Sequence, residues 1–430
     1  MTLAAVPLEV FTELARTRPL PEATAALRAA LHARRMLLVK SLLVRFEQRR
    51  ALLAPEVGRR FEQDWALLER AERSDPAAVR DVVDYPMIGA WLTETLAAPE
   101  GPAFERHLAY LGGVAVAAAV RAGCQVGGTL TQPSGSLVLP GLGVLHCPSG
   151  SARLSGRGGL LRITDGAGGS EVILPRPTAR GEPGTRRPVG SERGWSALRT
   201  LPGSTVVLDD LDPYRVPRRG IGPAALPAAD RPHSDHRPWA RRWHEAHTLL
   251  SATDPGRAAE TSAVLRAVVP LVSPVGGAGI PMSATLRSSP GAVLTQLPAD
   301  ASELAESLVH ESHHTKLAAL HEFVPLYRPG GGTLHRVAWR LDPRPVPAVL
   351  QGAYAHLALT DLWWRARTGP VTPDAWRRKA TQQFETYREQ VGEALSILLE
   401  SDELTFAGRE FVQEMSRHHA SLGVATRNPG

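Results

Sequence analysis

The chain has only two cysteines in 430 residues, Cys124 and Cys147, too few for a disulfide scaffold or a thiolate metal site. No uninterrupted apolar run approaches the length of about 20 residues that a membrane-crossing helix needs. The amino terminus, Met1-Thr2-Leu3-Ala4, lacks the charged segment and apolar stretch of a secretory signal. Charge of either sign is not concentrated. The 49 Lys+Arg stand against 43 Asp+Glu, and the basic residues, nearly all arginine, are scattered in singles and pairs. Without a dense basic block interleaved with aromatics, nucleic acid is not an expected partner. An anionic ligand is compatible with the mildly basic balance but not required by it. No repeat at solenoid or propeller spacing is present. These absences describe a soluble, reducing, cytoplasmic protein with no membrane partner.

A chain of this length holds two or three domains around substantial cores. Residues 1–122 read as a helical lobe. Leu27, Leu31, Leu37-Leu38 and Leu42-Leu43 recur at helical spacing with arginines between them, and a last helix is expected over 103–122. From Gly123 the composition turns to Gly, Ser, Pro and short β-branched runs, so residues 123–238 read as a β-rich segment. It includes an Arg-, Pro- and Gly-rich loop from Pro175 to Arg193, an acidic turn at Asp209-Asp210-Leu211-Asp212-Pro213, and a connector carrying His233, Asp235 and His236. Helical periodicity returns over residues 239–430, interrupted by a hairpin pairing Ser283 to Arg287 with Ala292 to Thr295. The expected class is α+β, predominantly helical.

The stretch with chemical content is His310-Glu311-Ser312-His313-His314, which reads H-E-x-x-H. On a helix, positions four apart lie on one face, so His310 and His314 can reach a single metal ion. Asp300 and Glu303 form an N-capping pair upstream, and no Pro or Gly interrupts the helix to about Val324. Two histidines hold a metal weakly, so a third ligand is needed. The metzincin extension fails, because Leu317 and Leu320 stand where it requires Gly and His. A zinc metallopeptidase of the other kind would take Glu385 or Glu389 from a later helix, with Glu311 activating water. His356 is the better candidate. It interrupts a mostly apolar helix where an unpaired imidazole would be poorly solvated, although a core histidine bonded to a backbone carbonyl would look the same.

At these residues the chain resembles the H-E-x-x-H motif domains of bacterial natural-product clusters. These are α-ketoglutarate-dependent β-hydroxylases of ribosomally made peptides. The resemblance is carried by Leu304-Ala305-Glu306-Ser307-Leu308-Val309-His310-Glu311 with His314, by Val324-Pro325-Leu326-Tyr327, by Trp339-Arg340 with Asp342-Pro343-Arg344-Pro345, and by Gln351-Gly352-Ala353-Tyr354-Ala355-His356. It covers the C-terminal half. It implies Fe(II), α-ketoglutarate and O2 as cofactors, and a precursor peptide as partner. His310, His314 and His356 would then be the ligands, with Asp361 as a fallback for the third. Three protein ligands on octahedral iron leave two positions for a keto acid and one for oxygen. The distal carboxylate of the keto acid asks for a cation, and Arg340 and Arg344 are the candidates. Tyr327 and Tyr354 are candidate hydrogen-bond donors, and Glu311 becomes a residue that orients a ligand. The alternatives are the Zn(II) metallopeptidase and a non-catalytic peptide-binding module.

Overall fold

Proline opens most of the early helices. It sits in the first turn of α2 (Pro21–Arg49), α3 (Pro55–Ser74), α4 (Pro76–Val83), α5 (Pro86–Ala97) and α6 (Pro102–Leu108). There its missing N–H is no loss and its fixed φ suits the helix. The structure, a computed structural model, describes residues 6–157, 160–175, 193–273, 282–370 and 372–423. A short α1 (Leu8–Ala15) precedes these helices and α7 (Tyr110–Arg121) follows them. The single helix expected over 103–122 is therefore two, broken at Ala109. At this break the Trp91 indole N–H donates to the carbonyl of His107 at 2.8 Å.

The expected β-rich middle follows as two antiparallel sheets. One has the order β1 (Gly127–Thr131), β4 (Ser151–Arg157), β5 (Leu160–Asp165), β6 (Glu171–Pro175). The other has the order β2 (Ser136–Leu139), β3 (Gly143–His146), β7 (Trp195–Ala197). Helix α7 lies close on β2. A Cβ at Gly113 would fall on the Val138 carbonyl, so that position admits only glycine. The expected loop from Pro175 to Arg193 lies, apart from its two ends, outside the described residues.

A third sheet divides the molecule. Its order is β11 (Ser283–Ala284), β12 (Ala292–Thr295), β10 (Ala267–Pro270), β9 (Val207–Leu208), β8 (Arg199–Thr200). Strands β9, β10 and β12 run parallel, and β8 and β11 pair antiparallel at the edges. Residues alternate between its faces, as pleating requires. Leu208, Val268 and Val293 point into one core, and Ala267, Val269, Ala292 and Leu294 into another. The second core gathers α3 to α7, the later part of α2 and the two antiparallel sheets.

The first core holds α8 (His236–Thr253), α9 (Pro255–Val264), α10 (Ala301–His321), α11 (Val346–Thr368), α12 (Asp374–Glu400) and α13 (Phe406–Ser421). It also holds α1 and the start of α2, with Phe11 set edge-on to Phe411 at 5.3 Å. A two-stranded ribbon, β13 (Leu334–His335) with β14 (Arg344–Pro345), leads into α11. Helix accounts for 56% of the structure and strand for 15%, which makes the fold α+β and predominantly helical. No helix among the described residues is long and apolar enough to cross a membrane.

The acidic turn after β9 is a turn, but a buried one. The Asp209 carboxylate accepts from the N–H groups of Leu211 and Asp212, at 3.1 and 2.9 Å, and from the Tyr85 hydroxyl. Asp212 likewise accepts from Tyr110. Asp235 caps α8 through the Arg237 N–H at 3.2 Å, so His236 opens that helix, while His233 ends a short 3-10 turn before it.

Candidate metal centre

Helix α10 begins where Asp300 turns the chain. Its carboxylate accepts from the N–H of Ser302 at 2.8 Å and of Glu303 at 3.0 Å, and Glu303 reaches back to the Ala299 N–H at 2.9 Å. These bonds satisfy donors that the first turn would otherwise leave open. Leu304, Leu308, Leu317 and Leu320 then bury into the first core. Glu306, His310 and His314 follow one another at four-residue spacing as a half-buried stripe. Helix α11 faces it. From residue 349 to 363 every residue of α11 is buried except Gln351 and His356, and those two meet the histidines of α10.

The Nε2 atoms of His310 and His314 are 3.0 Å apart. Two nitrogens bound at about 2.1 Å to one ion, at right angles, are separated by about 3.0 Å. The His356 ring stands against the pair, 5.1 Å from His310 between centroids and at 87°. Two of the three rings are fixed from behind. His314 Nδ1 bonds the Gln351 side-chain oxygen at 3.0 Å, and His356 Nδ1 bonds the Gly352 carbonyl at 2.8 Å. A carbonyl oxygen only accepts, so each Nδ1 carries the proton and each Nε2 keeps its lone pair. Burial drives the His310 pKa well below 6.5, and His314 and His356 lower it further. Burial also brings His356 to about 4, against the bond to Gly352. Neutral rings with free lone pairs are what a metal ion requires. The donor set therefore fits a borderline or ferrous ion. The pair stands at metal spacing, its Nε2 atoms sharing a hydrogen bond that an ion would replace, and the third ring adjoins it, but no group of three or more His, Cys, Asp or Glu among the described residues is closed around one point.

Aromatic rings wall His356. Trp339 stacks on it at 4.4 Å and 17°, and Tyr387 of α12 at 5.3 Å and 28°. Trp339 fits because α11 has glycine beneath it. A Cβ at Gly352 would lie 2.7 Å from Trp339 Nε1.

Glu311 is turned toward the dividing sheet. One carboxylate oxygen accepts from the Ser283 hydroxyl of β11 at 2.7 Å, and the other is buried without a protein partner. The remaining candidates make their contacts with other groups than the trio. Arg340 is exposed, and Arg344 is paired with Asp342 at 2.8 Å. Tyr354 gives its hydroxyl to the Leu14 carbonyl at 2.7 Å, and Tyr327 stacks on His321. Asp361 is engaged by Arg257 at 2.7 Å and by Arg365 at 3.2 Å. Burial disfavours its charge, but the two guanidinium groups outweigh burial and hold its pKa below the usual carboxylate value. Glu385 is exposed and pairs with Arg367 at 2.9 Å, and Glu389 is exposed, so neither is brought to the histidines.

Sequence reasoning passed over two residues of α12 that contact this region. The tyrosine at the trio is Tyr387. Lys379 of the same helix bonds Glu306 through its Nζ, one helical turn before His310. The signal available was their eight-residue spacing on α12, which puts both on one stripe. Compared with models of protein families and with curated proteins, the chain matches none.

Proposed function

We propose that the chain is an Fe(II)- and α-ketoglutarate-dependent oxygenase that hydroxylates a β-carbon of a residue in a ribosomally made precursor peptide, in the cytoplasm. The observation that carries this reading is the imidazole trio: a pair with nitrogens at cis-octahedral spacing and a third neutral ring against it from a second helix. An all-nitrogen face leaves positions open for a keto acid and oxygen. Iron held there, with those two co-substrates, would supply insertion of one oxygen atom into a C–H bond, the other oxygen passing into succinate as the keto acid's first carboxylate leaves as CO2.

The chain's own residues do the rest. Gln351 and the Gly352 carbonyl orient two of the rings and keep their Nε2 atoms unprotonated. Trp339 and Tyr387 keep water from His356. Glu311 bonds Ser283 and so ties the ligand helix to the dividing sheet. For the zinc peptidase, Glu385 pairs with Arg367 and Glu389 is exposed, so neither supplies a third ligand.

Anaerobic titration with Fe(II) and then α-ketoglutarate is the test. An oxygenase develops a weak visible charge-transfer band, and His356→Ala abolishes it. Zinc-dependent cleavage of peptide with indifference to the keto acid would establish the peptidase instead. Absence of stoichiometric metal, with peptide binding unchanged in His310→Ala, would establish the binding module. Co-expression with the precursor peptide should add one oxygen to it by mass spectrometry.

A further inference from the structure

Helix α2 buries Leu42 and Phe46 in the second core, but its outer face is also apolar. Ten large apolar side chains are exposed among the described residues, and Met36, Leu37, Val44 and Leu52 fall within one stretch along and just beyond this helix. Leu37 is 65% exposed and Val44 46%. Clustering of this kind marks an interaction surface, where scattered single residues would not. A groove of about 620 Å³ follows the same face, lined by Leu37, Lys40, Ser41, Val44, Arg45 and Gln48, with Arg49 at its end.

The spacing of these residues says what shape fits. Leu37, Ser41, Val44 and Gln48 are separated by four, three and four residues, the alternation that presents a seam to a second helix. From 37 to 48 the seam is about 16 Å long, three helical turns. Its charge says what chemistry fits. No lining residue is acidic. Lys40 is exposed and has no ion pair among the described residues. The Arg45 guanidinium donates to the carbonyls of Thr95 at 2.8 Å and Ala98 at 2.6 Å, so no carboxylate cancels its charge. Arg49 alone is neutralised, by Glu100 at 2.6 Å. Cations flanking a seam select a partner helix with carboxylates in the facing positions.

The groove also has a fixed relation to the histidine helix. Arg34 continues the seam one turn before Leu37, and its guanidinium is 3.6 Å from Glu322, the residue that ends α10. Glu322 is eight residues beyond His314, about 12 Å along the helix. By that path the near end of the groove is within roughly 30 Å of the histidines, which about nine extended residues cover.

We propose that this face of α2 docks the peptide substrate itself, taking a short amphipathic helix with apolar seam residues and Asp or Glu beside them, within about nine residues of the residue modified. The proposal rests on the peptide-substrate part of the reading above. A planar lipid surface fits less well, because Ser41 and Gln48 interrupt the apolar seam with groups suited to hydrogen-bonding a facing helix.

The experiment is fluorescence anisotropy on the full chain with two dye-labelled helical peptides of about 18 residues. Both carry a leucine seam, one flanked by Glu and the other by Lys. The Glu peptide is expected to bind at least tenfold more tightly, and to weaken as salt is raised. Leu37→Ser and Lys40→Glu are each expected to weaken it at least fivefold. Equal binding of the two peptides, no binding, or affinity unchanged in both variants overturns the groove. If either variant unfolds, Val44→Ser takes its place under the same criterion. Retention of the chain on phosphatidylserine vesicles, lost in Lys40→Glu, with neither peptide bound, overturns it in favour of a lipid surface. On co-expression with the precursor peptide, Lys40→Glu is expected to lower the gain of oxygen at least fivefold while the Fe(II)–keto acid band is unchanged. An undiminished gain of oxygen overturns the substrate as occupant. Binding of the Glu peptide by a chain that shows no such band supports the groove and refutes the oxygenase reading, so the two fail separately.

Discussion

Replacing Gly352 by alanine separates a functional aromatic wall from an incidental one, because the two cases differ in sign. Gly352 is inside α11, where alanine ordinarily stabilises a helix by about 0.5–1 kcal/mol. Here the new methyl would meet three indole atoms of Trp339, at 2.7, 2.9 and 3.0 Å. Carbon atoms in good contact are about 3.5–4.0 Å apart, so the indole must retreat by roughly 1 Å. Overpacking of this kind costs about 1–3 kcal/mol, which exceeds the helix gain. The retreat also loosens the stack on His356, and such a pair is worth about 0.5–1.5 kcal/mol. We expect Gly352→Ala to lose about 1 kcal/mol in urea unfolding followed by circular dichroism. We also expect it to bind Fe(II) or Mn(II) about tenfold more weakly, equivalent to about 1.4 kcal/mol. Trp339→Leu should show the same weakening without the helix gain. A Gly352→Ala protein that is more stable by about 0.5–1 kcal/mol, with unaltered metal affinity, would refute the reasoning.

Two further outcomes follow from buried charge. Asp64 is 2% exposed and has an oxygen without a partner, and burial raises its pKa from 3.8 to about 7. The folded chain therefore holds a proton that the unfolded chain releases, so stability is fullest below about pH 4 and is lost as pH rises toward 7. Asp64→Asn should gain on the unmodified chain across that window, by up to about 4 kcal/mol at 1.36 kcal/mol per pH unit, and pH-independent unfolding curves for both would contradict it. Arg257 is fully buried among Asp254, Asp361 and His313. Arg257→Met should destabilise by about 3–5 kcal/mol, and adding Asp361→Leu should recover part of that, since removing both charges strands fewer than removing one. Strictly additive losses would argue against the coupling.

How much of this was legible in the sequence differs from residue to residue. The cap at Asp300, the course of α10 and the shared face of His310 and His314 follow from local spacing, and all appear in the structure. His356 was legible because an imidazole is conspicuous in an apolar helix. Arg344 carried a warning of its own, a carboxylate two positions away in Asp342, close enough to claim it. Tyr354 carried none. Its partner is the Leu14 carbonyl, 340 positions distant, and only tertiary packing of the first helices against α11 brings them together. Lys379 and Tyr387 were hidden for the same reason. The stripe on α12 has meaning only once that helix lies beside the trio. The burial of the acidic turn at Asp209 was not legible, because its tyrosine partners come from α7 and from the residue just before α5.

The sheet of β8 to β12 serves as a party wall. The seams suggested by composition, after residues 122 and 238, do not follow it. A fragment starting at residue 239 would leave behind β8, β9, α1 and the start of α2, and its helices would face water where those elements had been. The other fragment would lose the strands that back its own hydrophobic side. Neither half is a lodger that can move out alone, and dissecting this protein into separately expressed pieces should yield aggregates from both cuts.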